Sequence, residues 1–314
     1  MNFLELFEIP SEGKILENMI VTDYEKDILM KMEKKSLDED QLLKIIEDVL
    51  KDYNIEISPK RLLMDMYKRA NINKVSEDVY TCSSLYTRLA YFAQYEQDLW
   101  KRVPEKIRQD IDKWYVKKYA DGALPRLKEI QEGKRELIEN AYFYTLDETL
   151  ELIDSLDKDI YVVPCNCRSI QMTCDKHVNT CMLFEYDINS EYDRGRGKVI
   201  SKEEAKAIAI KADKNGLMHT SEEAHAICHC CGDCCYPIRA SEVIGTRGIW
   251  PKRRYDISFN EDKCISCKKC TKICNFDAFV YEDSQIKFDP DKCFGCTICE
   301  SNCPTEAISI HKIK

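Results

Sequence analysis

The sequence predicts an α+β protein of three parts, and three observations carry that expectation. Helix signals dominate from Met1 to about residue 123, where Cys82 is the only cysteine. Nine cysteines then crowd into residues 165–235, entered from a short apolar strand. Residues 255–314 are one cysteine pattern written twice. The expected domains are a helical N-terminal domain over 1–123, a connector over 124–145, a cysteine-rich α/β middle domain over 146–250, and a C-terminal domain over 251–314 built as a pseudo-repeat of β-α-β.

The 314 residues are enough for two or three domains with a real core. With 44% hydrophobic and 33% charged residues, the composition is that of an ordinary soluble protein, and no apolar run has the length of a membrane span. Glu5, Glu8, Glu12 and Glu17 give the first twenty residues the wrong charge for a signal or transit peptide. Eighteen cysteines in such a chain read as metal ligands, which places it in a reducing cytoplasm and suggests an anaerobic host. The net charge of -9 disfavours attraction to nucleic acid or anionic lipid.

After a short arm, Ile28, Leu29 and Met32 form an apolar helix face. Acids at Asp38, Glu39 and Asp40 open a second helix whose stripe is Leu42, Leu43, Ile45, Ile46, Val49 and Leu50. Pro59 begins a third, with Ser58 as its cap and Leu62, Leu63, Met66 and Tyr67 buried. Short strands around Val75 and Val79–Thr81, an aromatic helix Leu85–Trp100 and a helix Glu105–Lys118 follow. Three helices and then a hairpin is the order of a winged-helix domain. Lys60, Arg61, Lys68 and Arg69 of its third helix would then face phosphate. Yet residues 1–125 hold 20 basic against 24 acidic side chains, which favours a protein-docking module over a DNA reader. Cys82 reads as a small buried hydrophobe.

Thr145 and Glu148 form a capping box for a helix striped by Leu146, Leu150, Ile153 and Leu156. The strand Ile160–Pro164 runs into Cys165-Asn166-Cys167-Arg168, followed by Cys174 and Cys181. A second boxed helix opens at Ser201 and Glu204 and stops at Gly216. Then come His219, His225 and the run Cys228-His229-Cys230-Cys231-Gly232-Asp233-Cys234-Cys235. Nine cysteines at this density exceed ordinary core use, and neighbouring cysteines rarely bridge each other. Thiolates gathered from two distant loops point to one or two further iron–sulfur clusters, with zinc as the rival. Arg168 would hydrogen-bond cluster sulfur or an anion, and His229, flanked by cysteines, is the histidine candidate for the cofactor. His177, His219 and His225 read as surface or supporting residues. Residues 240–250 read as a connector and Pro251-Lys252-Arg253-Arg254 as a basic hinge, solvated or docking an acidic partner.

The tail reads Cys264-x-x-Cys267-x-x-Cys270-x-x-x-Cys274 and, 29 positions on, Cys293-x-x-Cys296-x-x-Cys299-x-x-x-Cys303-Pro304. A cube of iron and sulfide needs a thiolate at each iron corner. The tight loop delivers three, and the fourth cysteine points away to complete the other cube. Two [4Fe-4S] clusters are expected, one on Cys264, Cys267, Cys270 and Cys303, the other on Cys293, Cys296, Cys299 and Cys274. Asn275 stands where the second half has Pro304.

On these motifs residues 255–314 resemble a bacterial two-cluster ferredoxin. More widely, the Val-Pro-Cys-x-Cys-Arg strand end, Thr180-Cys181, the helix at 201–205, Gly216–His219 and the 228–235 run make the chain similar to anaerobic multi-cluster ferredoxin-type 4Fe-4S proteins. That resemblance implies cluster content and no settled activity. The Cys230-Cys231-Gly232 triplet resembles the motif of heterodisulfide-reductase subunits, whose cluster is noncubane, although the spacing around it differs.

The expected function is low-potential electron transfer with a redox partner protein. No Gly-x-Gly-x-x-Gly after a strand and no P-loop is present, so electrons would come from that partner. Two alternatives stand: an oxidoreductase using an open iron of a middle-domain cluster on a small-molecule substrate, and a redox-sensing DNA-binding regulator. No catalytic side chain is identified, no membrane association is expected, and a homo-oligomer stays open.

Overall fold

The computed structural model describes residues 1–134, 141–221 and 225–313. It divides into two compact units. Among the described residues no helix is long and apolar enough to cross a membrane.

The first unit comprises Met1–Tyr115, Ser169–Gln171 and Tyr186–Gly197. Its helix Asp23–Met32 is followed by strand β1 (Leu37–Asp38), helices Glu39–Asp52 and Pro59–Lys68, and strands β2 (Ile72–Ser76) and β3 (Val79–Cys82). Capping boxes at Thr22–Glu25 and Asp38–Gln41 satisfy the first free N–H groups of two helices. Ser58 makes no side-chain cap bond; the third helix starts on Pro59, which has no N–H at that end to satisfy. Ile28, Leu29, Met32, Leu42, Ile46, Leu63 and Met66 are fully buried between the helices. The strands form an antiparallel sheet in the order β1-β3-β2. The aromatic stretch is two helices, Leu85–Tyr95 and Gln97–Trp100, rather than one.

Three of the four cations expected to face phosphate are engaged within this unit. Arg69 pairs with the fully buried Glu25, Lys60 with Glu39, and Arg61 lies 3.9 Å from Asp65. Breaking a buried pair costs about 3–5 kcal/mol, so Arg69 is not free for a ligand. The stretch 186–197 is anchored here by Arg194, whose guanidinium donates to the carbonyls of Tyr67 (2.6 Å) and Ile72 (3.0 Å).

The second unit comprises Val116–Arg168, Met172–Glu185 and Lys198–Lys314. Strands β4 (Tyr142–Tyr144), β5 (Ile160–Pro164), β6 (Asn179–Leu183), β7 (Lys198–Ile200), β8 (Met218–Ser221) and β9 (Ala226–Cys230) form one sheet in the order β4-β8-β9-β6-β5-β7. Every neighbouring pair is antiparallel. The middle region is therefore not the α/β arrangement expected from its alternating strands and helices. No helix carries the chain over to a parallel neighbour, so the sheet belongs to the α+β class. Helices Leu146–Ser155 and Lys202–Lys214, both opened by the expected capping boxes, bury Ile153, Ala205 and Ala209 against Ile160, Met182 and Ile227.

Residues 124–131, expected in a connector, are helical, because helix Glu105–Gln131 runs on through Pro125. A proline inside a helix costs about 3 kcal/mol. Here Ala120, Ala123 and Leu127 are buried against Ala240 and Trp250, and that packing outweighs it. Residues 135–140 of the same stretch lie outside the described residues. The connector expected from residue 240 instead begins inside helix Tyr236–Ile244, which ends on Gly245 at φ 70°.

The tail supplies β10 (Tyr255–Phe259), helix Lys269–Ile273, β11 (Phe279–Glu282), β12 (Gln285–Phe288), helix Ile298–Ser301 and β13 (Ile308–Lys312). β10 pairs with β13 and β11 with β12, both antiparallel. The sequence repeat extends to the backbone. Left-handed φ values recur at the 29-residue offset: Ser266 and Gly295 (53° and 67°), Lys268 and Thr297 (62° and 65°), Asp277 and Glu306 (both 52°).

Candidate metal centres

Cys264, Cys267, Cys270 and Cys303 line one cavity together with Phe259, Ile286 and Ile308. The first three come from one loop and Cys303 from the other half of the repeat. Burial pushes the Cys270 thiol up to about 11, and its neighbours Cys264 and Cys267 add to this. Burial also acts on Cys303, but N–H groups from Thr305, Ala307 and Ile308 outweigh it and hold that thiol below its ordinary value.

Cys293, Cys296 and Cys299 are buried, and Cys274 belongs with them. Burial raises the Cys299 thiol, and the nearby thiols of Cys296, Cys293 and Cys274 raise it further. Backbone N–H groups already point at sulfur in both halves: Ser266 to Cys264 Sγ (3.4 Å), Gly295 to Cys293 Sγ (3.3 Å) and Ala278 to Cys274 Sγ (3.3 Å). Such donors are of the kind that hydrogen-bond the sulfurs of an iron–sulfur cube. The donor set thus fits two cubes. The halves differ in exposure: Cys267 is open to solvent, whereas Cys293, Cys296 and Cys299 are at most 9% exposed.

The nine middle thiols form a string of six and a compact group of three, with Cys167 packed against both. Cys165 touches both Cys167 and Cys181, Cys181 touches Cys228, Cys228 touches Cys230, and Cys230 touches Cys235. Apart from these, the sulfurs of Cys174, Cys231 and Cys234 lie within 4.8 Å of one another. Local structure explains the grouping. β5 ends at Pro164 and presents Cys165 as the first turn of helix Asn166–Gln171 begins. Strand alternation puts Cys228 and Cys230 on one face of β9, and Cys235 caps helix Tyr236–Ile244. Hydrogen-bonded thiol neighbours hold Cys165, Cys230 and Cys231 well below the ordinary thiol range.

Arg168 is 3% exposed and sits beside these thiols. It donates to the His229 carbonyl at 2.7 Å and to Thr180 Oγ1. Burial works to discharge it, but the thiols of Cys165, Cys181, Cys230 and Cys231 outweigh burial and keep it charged. Its Nε–H is buried without a hydrogen-bond partner among the described residues. A buried cation with an unspent donor fits an anionic group such as a thiolate-ligated cluster.

The structure turns His229 away from its flanking cysteines, onto the opposite face of β9. Its Nδ1 lies 2.7 Å from His219 Nδ1, and its buried Nε2 has no hydrogen-bond partner among the described residues. Burial first, then His219 and Arg168, hold His229 neutral. His219 Nε2 lies 3.4 Å from Asp213, and Asp213 accepts from Ser301 Oγ (2.9 Å) and Asn302 Nδ2 (2.8 Å) of the tail. His177 accepts from the Asn179 N–H and His225 faces Glu185 at 3.7 Å.

Sequence reasoning missed Asp213 and did not explain Asn275. Asn275 accepts from the Gly232 N–H (3.0 Å) and donates to the Gly216 carbonyl (2.8 Å). The signal was the broken repeat itself, because an amide replaces a ring that could make neither bond. The two arginines of the basic hinge are engaged, while Lys252 is exposed. Arg254 pairs with Glu148 at 2.6 Å, and Arg253 donates to the Cys293 carbonyl at 3.2 Å.

Residues 258–310 match the family model of the 4Fe-4S dicluster domain. No curated protein and no solved structure matches the chain. The duplicated thiol loops and this match agree, and the C-terminal part of the chain is a ferredoxin-type 4Fe-4S segment.

Proposed function

We propose that the chain is a low-potential one-electron carrier, with two [4Fe-4S] clusters in the tail and one or two more in the middle region, serving a partner redox enzyme in a reducing, anaerobic cytoplasm. The observation that carries this reading is a shared core. Phe294, Cys296 and Ile298 of the second tail loop are buried in one cluster with Cys230, Cys235 and Met218. Tail and middle thiols therefore share one apolar core, which suits redox groups held in series.

Bound cubes supply one-electron exchange at roughly -400 mV. The chain's residues do the rest. Cys264, Cys267, Cys270 and Cys303 hold one, and Cys293, Cys296, Cys299 and Cys274 the other. Cys165, Cys167, Cys181, Cys228, Cys230 and Cys235 give more than the four ligands a cube needs, and Arg168 offsets their charge. The N-terminal helices and hairpin act as a winged-helix-like docking module. Its engaged cations favour a protein over DNA. The domain limits at 123, 145 and 250 belong to the same proposal.

Crossed ligation gives a direct test. Cys267→Ser and Cys303→Ser should abolish the same reduced-cluster EPR signal, and Cys274→Ser the other. If Cys303→Ser removed the signal lost in Cys296→Ser, the crossing would be wrong. A second reading is favoured by Cys174, Cys231 and Cys234: three thiols leave one coordination position open, as an oxidoreductase acting on a small substrate requires.

A further inference from the structure

We propose that the loop and helix 263–272 form the docking surface for an acidic one-electron carrier protein. The inference rests on the reading that Cys264, Cys267, Cys270 and Cys303 hold a redox group, and it names the partner that group meets.

The two tail loops have opposite surroundings. The second is buried against the middle thiols. The first opens outward: Cys267 is exposed, and Ile265, at 64% exposure, stands beside it. Ile265, Cys267, Lys268 and Lys269 rim the four-thiol cavity itself. A partner seated on this rim lies beside the thiols.

The charge of the rim selects the partner. Residues 263–272 contain Lys263, Lys268, Lys269 and Lys272 and no acid, in a chain of net charge -9. All four lysines are exposed. Lys272 follows Lys269 by three positions in helix Lys269–Ile273, so these two ammonium groups share one side of it, and Lys268 stands just before its first turn. Among the described residues none of the four is paired with a carboxylate. The acids of the nearby hairpin, Glu282 and Asp283, are occupied by Lys287 at 3.7 and 2.8 Å, and Lys268 lies over the Tyr281 ring. Four exposed lysines without a carboxylate partner, two of them on the same rim as the exposed Ile265, make a surface with an apolar spot and a cationic border. Such a surface steers and holds an anionic partner. With a flavodoxin as the carrier, its flavin hydroquinone would give up one electron, and the group that Cys264, Cys267, Cys270 and Cys303 would hold would take up that electron.

The test uses the full-length protein, loaded with iron and sulfide without oxygen, and a flavodoxin as the acidic carrier. Two quantities are measured: the Kd of the complex as salt is raised, and the rate of electron transfer from the flavodoxin hydroquinone. The triple variant Lys268→Glu/Lys269→Glu/Lys272→Glu should weaken binding and slow transfer by about tenfold or more at low salt, with the difference shrinking at high salt. Lys263→Glu/Lys272→Glu should move both readouts the same way. Lys106→Glu/Lys113→Glu, in the N-terminal unit, should change neither. Unchanged binding in the tail variants with full iron content, or weakened binding only in the N-terminal variant, would overturn the docking surface. A tail that takes up no iron would instead overturn the cluster reading, whatever the binding shows.

Discussion

Gly232 and Asn275 meet backbone to side chain. The Gly232 N–H donates to Asn275 Oδ1 at 3.0 Å, and a Cβ on Gly232 would stand 2.3 Å from the Asn275 carbonyl oxygen. One residue lies in the cysteine run of the middle region, the other beside Cys274 of the tail. Gly232→Ala should therefore push the tail loop off the middle region, costing about 1–3 kcal/mol in denaturant unfolding. Asn275→Pro restores the repeat but removes both bonds, so it should also destabilise while leaving the tail's iron content unchanged.

Asp213 ties His219 to Ser301 and Asn302 while only 4% exposed. Asp213→Ala takes the carboxylate partner from buried His219 and Asn302 and should cost about 1–3 kcal/mol. Because Ser301 and Asn302 lie between Cys299 of one ligand set and Cys303 of the other, both tail clusters should be lost faster than in the parent protein when the variant is exposed to a chelator. Unchanged loss of both would place the damage elsewhere.

Glu148 closes its own capping box and takes both Arg254 (2.6 Å) and the Tyr255 hydroxyl (2.6 Å). Burial, then the Glu148 hydrogen bond, raise Tyr255 to about 12, so it stays a donor across the neutral range. Arg254→Ala should lower stability by about 1–3 kcal/mol, and Arg254→Lys should recover only part, since one ammonium cannot replace the fork. Thermal unfolding reads both.

Gly295 has φ 67°, and a Cβ there would meet the Tyr255 carbonyl oxygen at 2.4 Å. Its counterpart Ser266 carries a side chain at φ 53°. Gly295→Ala should thus disturb the second loop, while Ser266→Ala leaves the first intact. Comparing the two reduced-cluster EPR signals checks this.

Local chemistry made much of this legible in advance. The boxes at Thr145–Glu148 and Ser201–Glu204, the strand Ile160–Pro164 and the doubled cysteine loops each depend on residues close in sequence. What was not legible depends on distant partners. Helix Glu105–Gln131 crosses Pro125 because Trp250 and Ala240 cover its far end. The direction of each strand beside its neighbour, the gathering of Cys174, Cys231 and Cys234, and the role of Asn275 are all set by tertiary contacts. No spacing rule encodes them.

The most direct test of the account is iron and acid-labile sulfide per chain, on protein purified without oxygen. The account predicts about twelve to sixteen of each: about eight in the tail and the remainder on the middle thiols. About eight of each, with zinc in the middle region, would contradict it and leave a ferredoxin segment joined to a redox-inert domain.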